Sequence, residues 1–328
     1  MNIAIISDFN IAGIPTYLWK AINKYTEHKA RCIVAYDDSF QYDKDIILNS
    51  VEARREASDW VKQCEFFHFG RGIFNWEGVD WNDILNVNNC CIEYYGSELR
   101  NGWERIVPYH AETGITAITG TDWTITGRMT NSFYHLAQYL TKFGDMSEDQ
   151  IPLCESWNGT GRFRIATSSA GSPIKGYDVL GIIVNQLQEE GVPVEVVSLM
   201  ELSNAQVLER KLDCHATFTS IHGGWGMSGI ESMYLGHPIL CSLDPWVMSL
   251  FPENPTVIIS RANLKDSIRC LVESPHIVKE RGLASRDFAI RNFKTTTILK
   301  RYLYLWDLIM NKELVMEGGH LPTKIYKF

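Results

Sequence analysis

Residues 222–238 contain five glycines, four of which precede a short helical pattern, and they lie between two strand-like runs. The first run ends at Ser220 and the second begins at Pro238. A strand that passes through a glycine loop into a helix, followed by another strand, is the repeating unit of a parallel α/β sheet. Glycines let another group approach the backbone closely, and unpaired N–H groups at the helix start favour an anion such as a phosphate. The stretch therefore predicts an α/β domain with an anion-binding loop.

The same alternation opens the chain. An apolar run at 2–7 leads into a loop that contains Gly13, and a helical pattern from Thr16 is followed by a strand at 31–36. This order predicts a doubly wound α/β domain. Because no GxGxxG pattern follows the first strand, a nicotinamide-dependent Rossmann enzyme is disfavoured.

A second α/β pattern starts at Phe163, after a loop-rich stretch at 144–161 that follows a helix predicted over 131–143. A length of 328 residues suits two domains. The sequence therefore predicts an N-terminal domain over 1–160 and a C-terminal domain over 161–328.

The composition is that of an ordinary globular protein, with 45% hydrophobic and 21% charged residues. No apolar run approaches the ~18 residues that a membrane helix needs. The N-terminus lacks the basic start and the cleavage site of a signal peptide. The eight cysteines include no CxxC pair, and we interpret them as reduced thiols. We therefore expect a cytoplasmic protein without an integral membrane segment.

The net charge of −8 is concentrated in the first half of the chain. Residues 1–160 contain 13 Lys and Arg against 22 Asp and Glu. This excess of acidic residues argues against a polyanionic acceptor bound there. Asp43-Lys44-Asp45 has the form of a metal-binding DxD motif, but no strand leads into it, so we interpret it as solvated surface.

Two charged residues lie beside predicted helix starts. Glu231 could accept hydrogen bonds from a sugar hydroxyl, although Ser228-x-x-Glu231 also has the form of a capping box, which alone would explain a Glu there. Lys175 precedes a helical pattern over 177–187. Because a Lys is unfavourable at the positive end of a helix dipole, its position favours a bound anion over the alternative of a surface lysine.

These residues resemble the donor-binding signatures of GT-B glycosyltransferases of family GT4. Glu231, Ser232-Met233, Gly236 and Pro238 match the second half of the family's glycine-rich signature, while Gly223 stands where the family often has a Glu. Upstream, Lys175-Gly176 resembles the second signature, in which the Lys contacts the donor diphosphate.

The resemblance implies an α/β GT-B fold, with two Rossmann-like doubly wound domains facing a cleft. It also implies a retaining transfer of a sugar from a nucleotide-diphosphate sugar, first of all a UDP-sugar, to a hydroxyl, with no cofactor and no metal. Lys175, Glu231 and Tyr95 are the expected catalytic positions. The expected donor-binding residues are Ser172, Lys175, Gly226, Met227, Ser228, Gly229 and Glu231.

The N-terminal domain carries a looser match. Residues 96–100, Gly-Ser-Glu-Leu-Arg, resemble a His-Gly-Ser-Asp-Leu-Arg segment whose His reaches the donor sugar, and Tyr95 stands at the position of that His. His68 and Arg71 are predicted at or just past a strand end, where parallel sheets bind ligands. The alternatives are a His satisfied in the core and an Arg on the surface. The expected residues on the acceptor or sugar side are Gly13, His68, Gly96, Ser97 and Arg100.

A last helix is predicted over 295–310. Its apolar face is formed by Ile298, Tyr302, Leu305, Trp306 and Ile309. We expect this face to pack back on the N-terminal domain, as the last helix typically does in GT-B proteins, rather than to lie on a membrane surface.

Three other functions remain open. A GT-B epimerase would act on the nucleotide sugar without an acceptor. A phage-type glycosyltransferase would modify a base in DNA, and a non-catalytic GT-B module would only bind. The expected partners are therefore a nucleotide sugar and an acceptor, which is a glycan, a small molecule or a nucleic-acid base.

Overall fold

The structure, a computed structural model, describes residues 1–37, 41–95, 97–119, 133–135, 139–167 and 175–313. The chain divides into two compact units. The first consists of Met1–Leu140 together with the chain from Thr295 onward, and the second of Thr141–Lys294. Each unit contains one sheet of parallel strands, which require crossover connections such as helices.

The strands of the described residues are β1 (Asn2–Ser7), β2 (Lys29–Val34), β3 (Ile46–Ile47), β4 (Phe66–Gly70), β5 (Cys90–Tyr94), β6 (Thr116–Thr119), β7 (Phe133–His135), β8 (Phe163–Thr167), β9 (Val194–Ser198), β10 (Ala216–Ser220), β11 (Ile239–Cys241) and β12 (Val257–Ile258). The helices are α1 (Ile14–Tyr25), α2 (Val51–Val61), α3 (Trp81–Ile84), α4 (Ser97–Thr113), α5 (Tyr177–Glu189), α6 (Asn204–Lys211), α7 (Gly226–Tyr234), α8 (Pro245–Leu250), α9 (Leu264–Glu273), α10 (Pro275–Asn292) and α11 (Thr295–Met310).

The first sheet has the order β3-β2-β1-β4-β5-β6-β7. The chain starts in β1, runs outward through β2 and β3, and then returns to β4 on the other side of β1. Open α/β sheets bind ligands beyond the carboxyl ends of the strands at such a reversal. Strands β4 and β5 are buried along their whole length, as expected for central strands covered on both faces.

Strand β7 corrects the helix predicted over 131–143. Its three residues pair in parallel with β6, with Phe133 opposite Ala117, and Lys142–Asp145 forms a 3-10 turn. The other residues of the predicted helix that precede 139 lie outside the described part of the chain. A short apolar run does not by itself distinguish a strand from a buried helix. Here the residues form a strand because they pair with the edge of β6.

Helix α11 belongs to the first unit and contacts α1. The ring of Trp306 lies 5.1 Å from that of Phe66 and 5.6 Å from that of His68, between centroids. The hydroxyl of Tyr302 donates to Oε1 of Glu93 at 3.0 Å. The predicted apolar face of the helix is buried. Within the described residues, no helix has the length and apolar character needed to cross a bilayer.

The second sheet has the order β12-β11-β10-β8-β9. Its unit begins at Thr141, whereas the sequence placed the boundary between 160 and 161. Residues 141–160 belong to the second unit because the guanidinium of Arg286 in α10 binds several backbone carbonyls in and near this segment. The accepting carbonyls belong to Glu148, Ile151, Pro152 and Tyr234, at 2.6–3.1 Å.

Candidate functional site

Two segments meet at the carboxyl edge of the second sheet, one just before α5 and the other directly after β10. The N–H of Ile221, just past β10, donates to the carbonyl of Lys175 at 3.0 Å. Gly176 has a left-handed backbone, with φ +79°, and a Cβ added there would lie 2.3 Å from the Ile221 side chain. The position therefore requires a glycine on two grounds, conformation and space. The Lys175-Gly176 segment and the glycine-rich loop are thus joined directly.

We predict that Gly176→Ala lowers the free energy of unfolding by about 2–4 kcal/mol, since it combines left-handed strain with a steric overlap. Gly181→Ala is the matched control. Gly181 lies inside α5, and an added Cβ there meets nothing within 4 Å, so this change should raise stability by up to about 1 kcal/mol. Urea denaturation of both variants checks the pair, and equal stabilities would contradict the close approach at Gly176.

Helix α7 begins at Gly226, which has φ +60°. The preceding residue, Trp225, is buried and donates from Nε1 to Oγ1 of Thr256 at 2.7 Å. Among the described residues, no side chain caps this helix at Trp225. The first N–H groups of a helix have no intrahelical partner. This first turn, with Met227 and Ser228 partly exposed, therefore presents donors and the positive end of the helix dipole.

Gly229 brings α7 close to the sheet. A Cβ at this position would lie 3.0 Å from Cγ2 of Thr219 in β10 and 3.2 Å from Cβ of Trp225. The half-buried Lys175 lies on the same side, near the end of β11. Burial raises the pKa of the Cys241 thiol there to about 12, and among the opposing influences is the positive charge of Lys175. The backbone of Lys175 lies beside the end of β10, through its hydrogen bond to Ile221.

Glu231 does not form the capping box that the sequence allowed. Since α7 starts at Gly226, Glu231 lies beyond its first turn and is only 3% exposed. Its Oε1 accepts from Nδ2 of Asn204 at 3.0 Å, and its Oε2 lies 3.5 Å from Nζ of Lys211. The carboxylate is therefore held by two residues of α6, and the capping-box alternative is wrong.

Lys211 is the counter-ion of this carboxylate. Burial lowers the pKa of its ammonium, and the charge of Glu231 opposes that shift. The same ammonium donates to the carbonyl and hydroxyl oxygens of Ser228, at 2.9 Å each. One buried cation therefore connects α6 to the first turn of α7 and to Glu231.

His237 gives this region a defined response to acid. Burial, together with the charge of Lys211, lowers the pKa of its imidazole to about 3. In the unfolded chain the His237 imidazole takes up a proton below about pH 6.5. In the folded protein the same imidazole is protonated only near its lowered pKa of about 3. Stability is therefore lost as the pH falls through this window, by up to about 1.4 kcal/mol per pH unit.

We predict that His237→Asn makes the loss of stability between about pH 6.5 and pH 4.5 less steep by up to about 1.4 kcal/mol per pH unit, because Asn does not titrate. Urea denaturation of the two proteins across this range measures the slopes. Identical slopes would mean that the imidazole protonates in the folded protein as readily as in the unfolded chain.

His68 is in the core, which corrects its predicted position at a strand end. It lies in the middle of β4, and its side chain is 1% exposed beneath α11. Its Nε2 is 2.6 Å from Oε2 of Glu93, and its Nδ1 is 3.3 Å from Sγ of Cys91. The alternative of a His satisfied in the core describes this position.

Tyr95 lies at the carboxyl edge of the first sheet, directly after β5. A Cβ added at Gly70 would lie 2.9 Å from the Tyr95 hydroxyl and 2.7 Å from Oγ of Ser7. The hydroxyl therefore lies over the ends of β1 and β4. Arg71 is at the same edge, with φ +73° and an ion pair of 3.0 Å to Asp8.

The structure describes some of the remaining candidates in full, some by their backbone alone and some not at all. Gly13, with φ +72°, is the N-cap of α1, and the rings of Tyr17 and Tyr42 would meet a Cβ there within 2.7 Å. Gly96 lies outside the described residues, as does Ser172 of the second unit. Ser97 and Arg100 lie in the first turn of α4, and their side chains are not described.

The DxD-like segment is engaged in ion pairs. Asp43 pairs with Lys20, and Asp45 binds the guanidinium of Arg31 at 2.7–2.8 Å. In the part of the chain that the structure describes, no group of three or more His, Cys, Asp or Glu side chains could hold a metal ion.

No protein-family model and no curated protein matches the sequence. Several solved structures match the fold. A sucrose-phosphate synthase from Thermosynechococcus elongatus superposes with a TM-score of 0.62 at 12% identity, over 95% of this chain and 100% of that one. The catalytic domain of starch synthase IV from Arabidopsis thaliana, bound to ADP and acarbose, gives a TM-score of 0.59 at 10% identity, over 94% and 99% of the two chains. The fold is GT-B.

A third GT-B structure is an alpha-glucosyltransferase in complex with UDP and a 13-mer DNA. Its TM-score is 0.59 at 9% identity, over 94% of this chain and 99% of that one. The three neighbours are glycosyltransferases, so this chain shares its fold with enzymes of that class.

The geometry also explains one departure from the GT4 signature. Gly223 has φ +102°, a conformation that residues with side chains rarely adopt. A Glu, which the GT4 signature often has here, would be strained in this backbone conformation.

Sequence reasoning missed Lys211 and Asn204. Val207, Leu208 and Lys211 share the buried face of α6. A lysine in the apolar face of a helical pattern was therefore the available signal that a buried partner had to exist, although the pattern does not identify that partner.

Proposed function

We propose that this protein is a retaining glycosyltransferase that moves a sugar from a nucleotide-diphosphate sugar, first of all a UDP-sugar, to a hydroxyl acceptor. The observation that carries the proposal is that two segments suited to binding phosphate, Lys175-Gly176 and the start of α7, meet at one edge of the sheet. The Lys175-Gly176 segment is hydrogen-bonded to the loop that leads into the uncapped start of α7. A point charge and a helix N-terminus side by side form a binding site for a diphosphate.

In this proposal the leaving diphosphate is stabilised by Lys175 and by the N–H groups of residues 226–229. Donors that are already in place stabilise the charge that develops as the sugar leaves, and they need no reorganisation. Glu231 accepts hydrogen bonds from the ribose. Retention of the anomeric configuration and catalysis without a metal are parts of the proposal that rest on the GT4 resemblance.

The sugar and the acceptor are assigned to the first unit in this proposal. Tyr95 supports the assignment because its hydroxyl lies over the ends of β1 and β4. Gly13 and Ser97 are included because each begins a helix that follows a strand of the same sheet. His68 is not included, since it is buried beneath α11.

A base in DNA is the second candidate acceptor, because one of the structural neighbours is bound to DNA. The charge of this chain opposes it. Residues 1–160 contain 22 acidic against 13 basic residues, whereas duplex DNA is bound through Lys and Arg contacts to its phosphates. We therefore favour an uncharged hydroxyl acceptor, such as a glycan.

The experiment that tests the donor site is calorimetric titration with UDP, GDP, ADP and CMP. We expect one diphosphate to bind, and its sugar conjugate then serves as the donor in an acceptor screen that compares neutral glycans with duplex DNA. The absence of binding by all four nucleotides would contradict the assignment of the second unit as the donor side. Transfer to DNA alone would replace the preferred acceptor class with the second candidate.

A further inference from the structure

Helix α6 inserts one charged side chain beneath the start of α7. Lys211 is completely buried, and its Nζ contacts two oxygens of Ser228 and Oε2 of Glu231. Two of these contacts are hydrogen bonds to Ser228 and the third is an ion pair with Glu231. Lys211 therefore fixes the position of the helix turn and that of the carboxylate together.

The carboxylate of Glu231 receives one contact from α6 on each oxygen. Asn204 donates to Oε1 at 3.0 Å, and Lys211 lies 3.5 Å from Oε2. An ionised carboxylate offers about four lone-pair sites, so each oxygen retains acceptor capacity for a ligand. Two fixed oxygens of one carboxylate suit two neighbouring hydroxyl groups, such as the 2′- and 3′-hydroxyls of a ribose.

We propose that Lys211, the buried counter-ion of Glu231, is a positioning residue that together with Asn204 holds the two carboxylate oxygens in place for the vicinal diol of a nucleotide's ribose. This inference rests on the proposed function and assigns recognition of the ribose to a pair of residues rather than to Glu231 alone. The ion pair matters because hydrogen bonds to a charged acceptor are about twice as strong as those between neutral groups.

The other titratable groups that face Lys211 do not titrate near neutral pH. Burial raises the pKa of Cys214 to about 11, and burial with the charge of Lys211 lowers that of His237 to about 3. Among the described residues that face it, Glu231 is therefore the carboxylate that pairs with Lys211. Without the ammonium, the buried carboxyl should take up a proton, because burial disfavours its charged form.

The test compares UDP with 2′,3′-dideoxy-UDP by calorimetry at about pH 6.5 and about pH 9, or the corresponding pair if another diphosphate is the one that binds. In the unmodified protein, we expect the dideoxy compound to bind about 10- to 100-fold more weakly at both pH values. In Lys211→Met, we expect this ratio to fall below about 3-fold at the lower pH and to recover at the higher pH, as the carboxyl loses its proton.

A purely structural role would weaken both nucleotides equally and leave the ratio unchanged at both pH values, which would overturn the inference. Asn204→Ala is a second variant in case Lys211→Met does not fold. It removes a neutral contact, and an unchanged ratio in it would also overturn the inference. Glu209→Ala, an exposed change on the same helix, is the control and should keep the original ratio.

The outcomes separate the inference from the proposed function. If UDP binds but the unmodified protein does not distinguish it from the dideoxy compound, the role of the Lys211–Glu231 pair is wrong and the donor site stands. If no nucleoside diphosphate binds, both are wrong.

Discussion

Replacing Lys175 with Ala is expected to lower kcat for sugar transfer by about 10²- to 10³-fold. Lys175 lies beside the end of β10 and is joined through its carbonyl to the loop before α7. In the proposed reaction, a cation at this place would stabilise the diphosphate most strongly when its charge develops in the transition state. Transfer from the selected nucleotide sugar, or its slow hydrolysis in the absence of an acceptor, provides the rate to be measured.

Lys279→Ala is the matched control for Lys175→Ala. Lys279 is exposed on α10, so the change removes the same charge without touching the sheet edge, and its kcat should stay within about 2-fold of the original. If Lys175→Ala also keeps its activity within that range, the diphosphate is not bound where we propose.

Replacing Glu231 with Ala is expected to lower the free energy of unfolding by about 3–5 kcal/mol, because it leaves the buried ammonium of Lys211 without its counter-ion. Lys211→Met should have a similar cost, since it leaves the carboxylate alone. The double variant Lys211→Met/Glu231→Ala should recover part of the loss, because it leaves no uncompensated buried charge. Urea denaturation of the three proteins forms the double-mutant cycle that measures the coupling.

Glu209→Ala, an exposed change on α6, is the control for this cycle and should alter stability by less than about 0.5 kcal/mol. Additive effects of the two single changes would mean that the pair is not coupled. Because Glu231→Ala is expected to destabilise the fold, Glu231→Gln is the better variant for measuring ligand binding. Glu231→Gln keeps the shape of the side chain, whereas Glu231→Ala would mix a binding effect with a folding effect.

Capping boxes show how far local sequence determines local structure in this chain. Ser203 and Gln206 have the same spacing as Ser228 and Glu231. The first pair forms both capping bonds at the start of α6, whereas the second forms none, because α7 starts two residues before Ser228, at a left-handed glycine. The motif identifies a helix nearby, but the turn before the helix determines where it begins.

Long-range contacts account for the rest of what the sequence did not predict. The strand around His68 is recognisable from its apolar residues, but the burial of the imidazole depends on Trp306 and Tyr302, which follow much later in the chain. Lys211 likewise finds Glu231 across an intervening strand. By contrast, the bounds of α11 agree with the prediction, because its apolar spacing is sustained over four turns.

Arg286 has a consequence for how α7 responds to a ligand. Its guanidinium binds the carbonyl of Tyr234, the last residue of α7, and also carbonyls of the segment that follows the first unit. A cation at the carboxyl end of a helix balances the negative end of its dipole, while the amino end remains available to an anion. Arg286 therefore holds the carboxyl end of α7, and the amino end can bind an anion. An anion bound at the first turn and Arg286 at the last residue would then balance both ends of the same helix dipole.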